Sequence, residues 1–71
     1  MKTLNALVVK PEECQKIEGL FNKFLIGMND WDRSKKFEVK GREVVVYNVV
    51  CDEDTCKSIK NLIKESRRVE S

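Results

Sequence analysis

Three cysteines, one run of acids and no histidine bound the chemistry open to this chain. Cys51 and Cys56 enclose Asp52, Glu53 and Asp54. A thiol pair at a strand end and in the first turn of a helix can close on itself, and the helix dipole lowers a thiol pKa there. The spacing is C-x-x-x-x-C rather than C-x-x-C, and three adjacent acids oppose a thiolate by like-charge repulsion. Cys56 also falls in an apolar stripe, where free cysteine behaves as a small hydrophobe. Buried, unbonded thiols are the expectation. The redox alternative predicts a Cys51–Cys56 disulfide under mild oxidation.

Other chemistries lack parts. Zinc needs a fourth ligand beyond three scattered cysteines and would have to recruit a carboxylate from Asp52 to Asp54. The same acids begin a calcium loop only superficially, with no central glycine and no late glutamate, so helix capping accounts for them. Nucleophilic catalysis needs a base beside Cys, Ser or Thr, and the usual one is absent. Gly19, Gly27 and Gly41 are isolated, so no glycine-rich loop cradles phosphate. A non-enzymatic protein with no cofactor, no metal and no small-molecule substrate is expected.

The elements that must position any site come from one domain, residues 1–71. A chain this short buries only about 60% of its unfolded surface, so self-association is a natural supplement to a thin margin of stability. The net charge of +2 is too small to announce a nucleic-acid or membrane partner. No stretch reaches the roughly 20 apolar residues of a membrane span, and none resembles a signal peptide. Three cysteines in a charge-rich chain fit a reducing compartment, so a cytoplasmic location is expected.

Thr3 to Val9 is β-prone and stops at Pro11, which suits the first position of a helix. Cys14, Ile17, Phe21, Phe24, Leu25 and Met28 recur at spacings of three and four, predicting a helix from Pro11 to about Ile26 with Gly27 as its left-handed cap. Asn29 to Lys35 reads as a loop. Phe37 to Lys40 and Val44 to Cys51 form a hairpin across a Gly41-Arg42 turn, with Val39 opposite Val44 and Phe37 opposite Val46. Those four are expected to face the helices together with Leu4, Ala6 and Val8. Cys56, Ile59, Leu62 and Ile63 make the stripe of a second helix ending near Arg68.

The β-α-β-β-α order predicts an α+β, two-layer α/β sandwich. It resembles a ferredoxin-like fold lacking its last strand, with the hairpin's second strand between the other two and both helices on one face. The resemblance is one of architecture and brings no functional residues.

Two surfaces remain. Leu7, Val9, Val45, Tyr47, Val49 and Cys51 are expected to form an outward apolar patch of the kind monomers seldom leave bare. The leading expectation is a small regulatory or inhibitory protein-binding module, possible as a homodimer, acting through this open face. Tyr47 is its anchor, Val45 and Val49 the apolar surround, Trp31 either a second contact or a lid over the sandwich end, and Lys36 and Glu38 the polar rim. On this reading Tyr47→Asp abolishes association in a folded protein. The alternative is nucleic-acid binding by a basic ridge of Lys57, Lys60, Lys64, Arg67 and Arg68, which share one sector of the second helix.

Overall fold

A computed structural model describes residues 1–70, with side chains through Arg67. The chain forms β1 (Lys2–Val9), a 3-10 turn (Pro11–Glu13), α1 (Cys14–Lys23), a second 3-10 turn (Met28–Asp30), β2 (Trp31–Arg33), β3 (Phe37–Val39), β4 (Arg42–Asp52) and α2 (Glu53–Glu70). It is an α+β fold: an antiparallel sheet with helices packed on one of its faces. β4 lies centrally, with β1 along one side and β2 and β3 following each other along the other. No helix among the described residues is long and apolar enough to cross a membrane.

The segment expected as a loop after α1 supplies β2, so the edge opposite β1 begins at Trp31. From the pair Arg33–Tyr47 to the pair Phe37–Val44, the edge advances four residues while β4 advances three. The extra residue is a β-bulge. Ser34 holds it by donating its backbone N–H to the Val46 carbonyl and accepting the Val46 N–H on its Oγ, both at 2.9 Å. Because side chains alternate in a strand, one extra residue reverses the facing of everything beyond it. Trp31 and Arg33 therefore point to the helices, and Phe37 and Val39 to the opposite face.

The hairpin turn is Lys40-Gly41, with φ of 52° and 81°, and Val39 pairs with Arg42. Positive φ at both central residues is the geometry that matches the twist of a two-residue hairpin, and glycine takes one of them without strain. The expected Gly41-Arg42 turn is corrected by one residue and its pairing register by two. Phe37, Val39, Val44 and Val46 still share a face.

Which face is buried is the larger correction. Leu7, Val9, Val45, Tyr47, Val49 and Cys51 pack beneath the helices against Ile17, Phe21, Ile59 and Ile63. Leu4 and Val8 are 69% and 58% exposed, and Phe37 and Val39 each 44%. The inward and outward sets are thus exchanged. Within β4 the buried set Val45, Tyr47, Val49 and Cys51 contains no charged residue, whereas Asn48, Arg42 and Asp52 alternate with the valines of the other set.

α1 stops earlier than its apolar spacing predicts. Ile26 donates its N–H to the Phe21 carbonyl at 2.8 Å and Leu25 to that of Asn22 at 3.1 Å, a Schellman closure with Leu25 at φ 59°. Leu25, not Gly27, occupies the left-handed position. It persists because Ile26, the next residue, is buried in the core with Phe21. Leu25 itself is 91% exposed, so its side chain contributes little packing. Leu25→Gly is expected to raise stability by about 1 kcal/mol through relief of the left-handed strain, read as a higher urea midpoint at unchanged slope.

Candidate functional site

The helices cover one face of the sheet, and the other defines the candidate site. Leu4, Ala6 and Val8 of β1 lie beside Val50, Asn48 and Val46 of β4, and Val44 lies beside Phe37. Val8, Phe37, Val39, Lys40, Arg42, Val44 and Val46 line an open depression of about 540 Å³. Its apolar lining is four valines and Phe37, and its charged groups sit at the hairpin end. Apart from Lys40 and Arg42 the lining is apolar, and it can bury apolar area against another surface.

Beneath the sheet, Tyr47 is fully buried in an aromatic cluster. Its ring meets Phe21 edge-on at 5.4 Å, and Trp31 lies 5.2 Å from Phe21 and 5.8 Å from Tyr47. The Tyr47 hydroxyl donates to Glu18 Oε2 at 2.6 Å, and Arg33 Nη1 donates to the same oxygen at 3.1 Å. Burial first, then the Glu18 carboxylate, pushes the phenol well above its ordinary pKa. The group is a neutral hydrogen-bond donor at physiological pH.

These positions correct the expected patch. Tyr47, Val45 and Val49 belong to the core and present nothing to a partner. Trp31 is half-buried, packed over Phe21 and Tyr47 from β2. Lys36 and Glu38 are exposed at the bulged edge. The outward residues Leu4, Val8, Phe37, Val39, Val44, Val46 and Val50 were missed because β4 is apolar on both faces.

The basic ridge is divided. Lys57 pairs with Glu53 at 3.4 Å. Arg67 turns back to Glu13, contacting both carboxylate oxygens at 2.9 Å. Lys60 and Lys64 are exposed without an ion-pair partner among the described residues, and the side chain of Arg68 lies outside those residues.

Cys51 and Cys56 are joined by a disulfide, which corrects the expectation of unbonded thiols; Cys14 is the free cysteine. β4 ends at Asp52 and α2 begins at Glu53, so the chain turns without a loop and brings the two Cα atoms to 6.2 Å, within bridging range. Asn5 Nδ2 donates to Cys56 Sγ at 3.0 Å. Among the described residues, no three His, Cys, Asp or Glu side chains group to hold a metal. No protein-family model, curated protein or solved structure matches the chain.

Two outcomes follow for the buried polar groups. Tyr47→Asp places a carboxylate where the aromatic cluster closes, and is expected to unfold the protein or cost more than about 3 kcal/mol, measured by loss of near-ultraviolet circular dichroism. The hydrogen bonds from Arg67 hold the Glu13 carboxyl below its ordinary value of 4.5. The folded state therefore keeps Glu13 charged where the unfolded chain has begun to take up protons. The pair's contribution is complete above 4.5 and is lost as pH falls through the folded value. Glu13→Gln is expected to cost about 1 to 2 kcal/mol at pH 7 and to flatten the acid limb of stability against pH, measured by urea titrations from pH 3 to 7.

Proposed function

We propose that this chain is a small non-enzymatic binding module whose working surface is the outer face of the sheet, and that the occupant of that face is a second copy of the chain. The observation that carries the reading is the exposure of Leu4, Val8, Phe37 and Val39 on a sheet face that no helix of the described residues covers. Two apolar sheet faces pack on each other about 10 Å apart, as the sheets of a sandwich do.

Size and charge favour a weak, antiparallel pairing. Eight residues at about 3.3 Å and three strands about 4.8 Å apart give a face of about 400 Å² in projection. Side-chain relief brings a dimer to the low end of stable interfaces, which bury about 800 Å² per partner, so reversible association is expected. Lys10, Lys40 and Arg42 gather at the hairpin end of the face, whereas Asp52 lies beside Lys2 at the other. A two-fold axis perpendicular to the strands keeps the two cationic ends apart; one along the strands would press them together.

Sedimentation equilibrium tests the reading. The wild type is expected to dimerise at about micromolar to millimolar concentration, and Val8→Lys with Phe37→Lys to remain a folded monomer throughout. A wild-type monomer at millimolar concentration, or undiminished dimerisation of the folded double variant, overturns it.

A further inference from the structure

A second surface, distinct from the outer face, lies along the side of β1 turned away from β4. β1 pairs with β4 over its whole length and has no strand on its other side among the described residues, so it is an edge of the sheet. Which of its backbone groups face outward follows from two independent contacts. Val46, the partner of Val8, sends both its N–H and its C=O to Ser34 on the opposite edge. In an antiparallel ladder this makes Val8–Val46 a non-hydrogen-bonded pair, so the N–H and C=O of Val8 point away from β4. Arg67 Nη2 reaches the Val8 carbonyl from α2 at 3.4 Å, from that outer side. By alternation Leu4 and Ala6 present their N–H and C=O groups along the same edge.

Natural edges are blunted by proline, bulges or inward charges, and β1 from Thr3 to Val9 has no proline, no charge and an unbroken register. What flanks it instead is α2. Ala6, Leu7, Val8, Lys60, Ile63, Lys64 and Arg67 line a groove of about 170 Å³ between the edge and the helix. Cys56 meets Asn5 and Arg67 meets Val8, so α2 runs along β1 in the same direction. Lys60 and Lys64 are one turn apart, about 6 Å along the helix. Side chains on one face of an extended strand repeat every 6.4 to 6.8 Å, roughly the same interval. A strand added to β1 would therefore set alternate side chains opposite two lysines that have no ion-pair partner among the described residues.

We propose that the free edge of β1, flanked by Lys60 and Lys64, is a strand-addition site for an extended acidic peptide with carboxylates at alternate positions. Main-chain bonds to Leu4 and Ala6 supply the ladder, and the lysines select the sign of charge. The same lysines argue against a second copy at this edge, because pairing β1 with β1 would bring four of them together.

The probe is a blocked seven-residue peptide alternating glutamate and valine, titrated into the full chain at low salt and followed by amide chemical shifts. The controls are its lysine-valine counterpart, the same acidic peptide with N-methylated amides, and a short oligonucleotide. Binding that shifts the Leu4, Ala6 and Val8 amides, weakens with salt, and falls about tenfold in Lys60→Glu with Lys64→Glu supports the proposal. Ala6→Pro is the second variant: it removes an outward N–H without touching the β1–β4 ladder, and is expected to abolish binding in a protein that stays folded. Equal binding of the N-methylated or lysine-valine peptide overturns the proposal, as do preference for the oligonucleotide, undiminished binding to either folded variant, and no binding at millimolar peptide.

Discussion

One sheet with a single layer of helices is the constraint from which the rest of this molecule follows. The central strand β4 is rich in valine on both sides, and the two α-helices of the described residues both pack on the same face. Burying Val45, Tyr47, Val49 and Cys51 leaves Val44, Val46 and Val50 without helical cover. The aromatic cluster decides the side: Tyr47 needs Phe21 and Trp31 around its ring and a carboxylate at its hydroxyl, and only the helical face supplies them. The opposite face of β4 keeps the smaller valines Val44, Val46 and Val50, with Phe37 of β3 beside Val44.

Polar clamps then fix how the layers sit. Glu18 joins α1 to both Tyr47 of β4 and Arg33 of β2 through one oxygen. Glu13, 6% exposed, receives the Lys10 N–H at 2.8 Å and the Arg67 guanidinium, tying the entry to α1 to the last turns of α2. Lys16 reaches Ser66 across the same helix pair. The Cys51–Cys56 disulfide holds the start of α2 on β4, and the Asn5 contact holds it on β1. α2 is thus fastened near both ends, and Lys60 and Lys64 lie on the span between.

The order of β1, α1, the β3–β4 hairpin and α2, the central place of β4 and the helical stripe of Cys56, Ile59 and Ile63 were legible in the sequence, because periodicity and proline punctuation report them locally; the short strand β2 was not, since Trp31–Arg33 carries one apolar residue among charges. The facing of the sheet was not, since alternation carries information only when one side of a strand is polar, and β4 has a single mid-strand polar residue, Asn48, to mark its outward set. The bulge at Ser34 was invisible for a different reason: its cause is a serine hydroxyl standing in for a backbone carbonyl, a substitution that propensity does not register. Leu25 in the left-handed position was hidden because burial of Ile26 outweighs the local preference for glycine. The sequence carries enough apolar residues for an open face but does not say which; its five cations share one helix sector, whereas in the structure Arg67 pairs with Glu13 and two lysines remain beside β1.

The bulge makes chain length near Ser34 a matter of parity. Removing one residue between Arg33 and Phe37 would restore strict alternation along the edge and swing Phe37 and Val39 under the helices, where Glu38 now points. Adding two would preserve the present facing. In descendants of this chain, gaps at residues 34–36 should therefore come in pairs or be accompanied by an exchange of apolar and charged residues along β3, so that the segment behaves as a counting device and not as a tolerant loop.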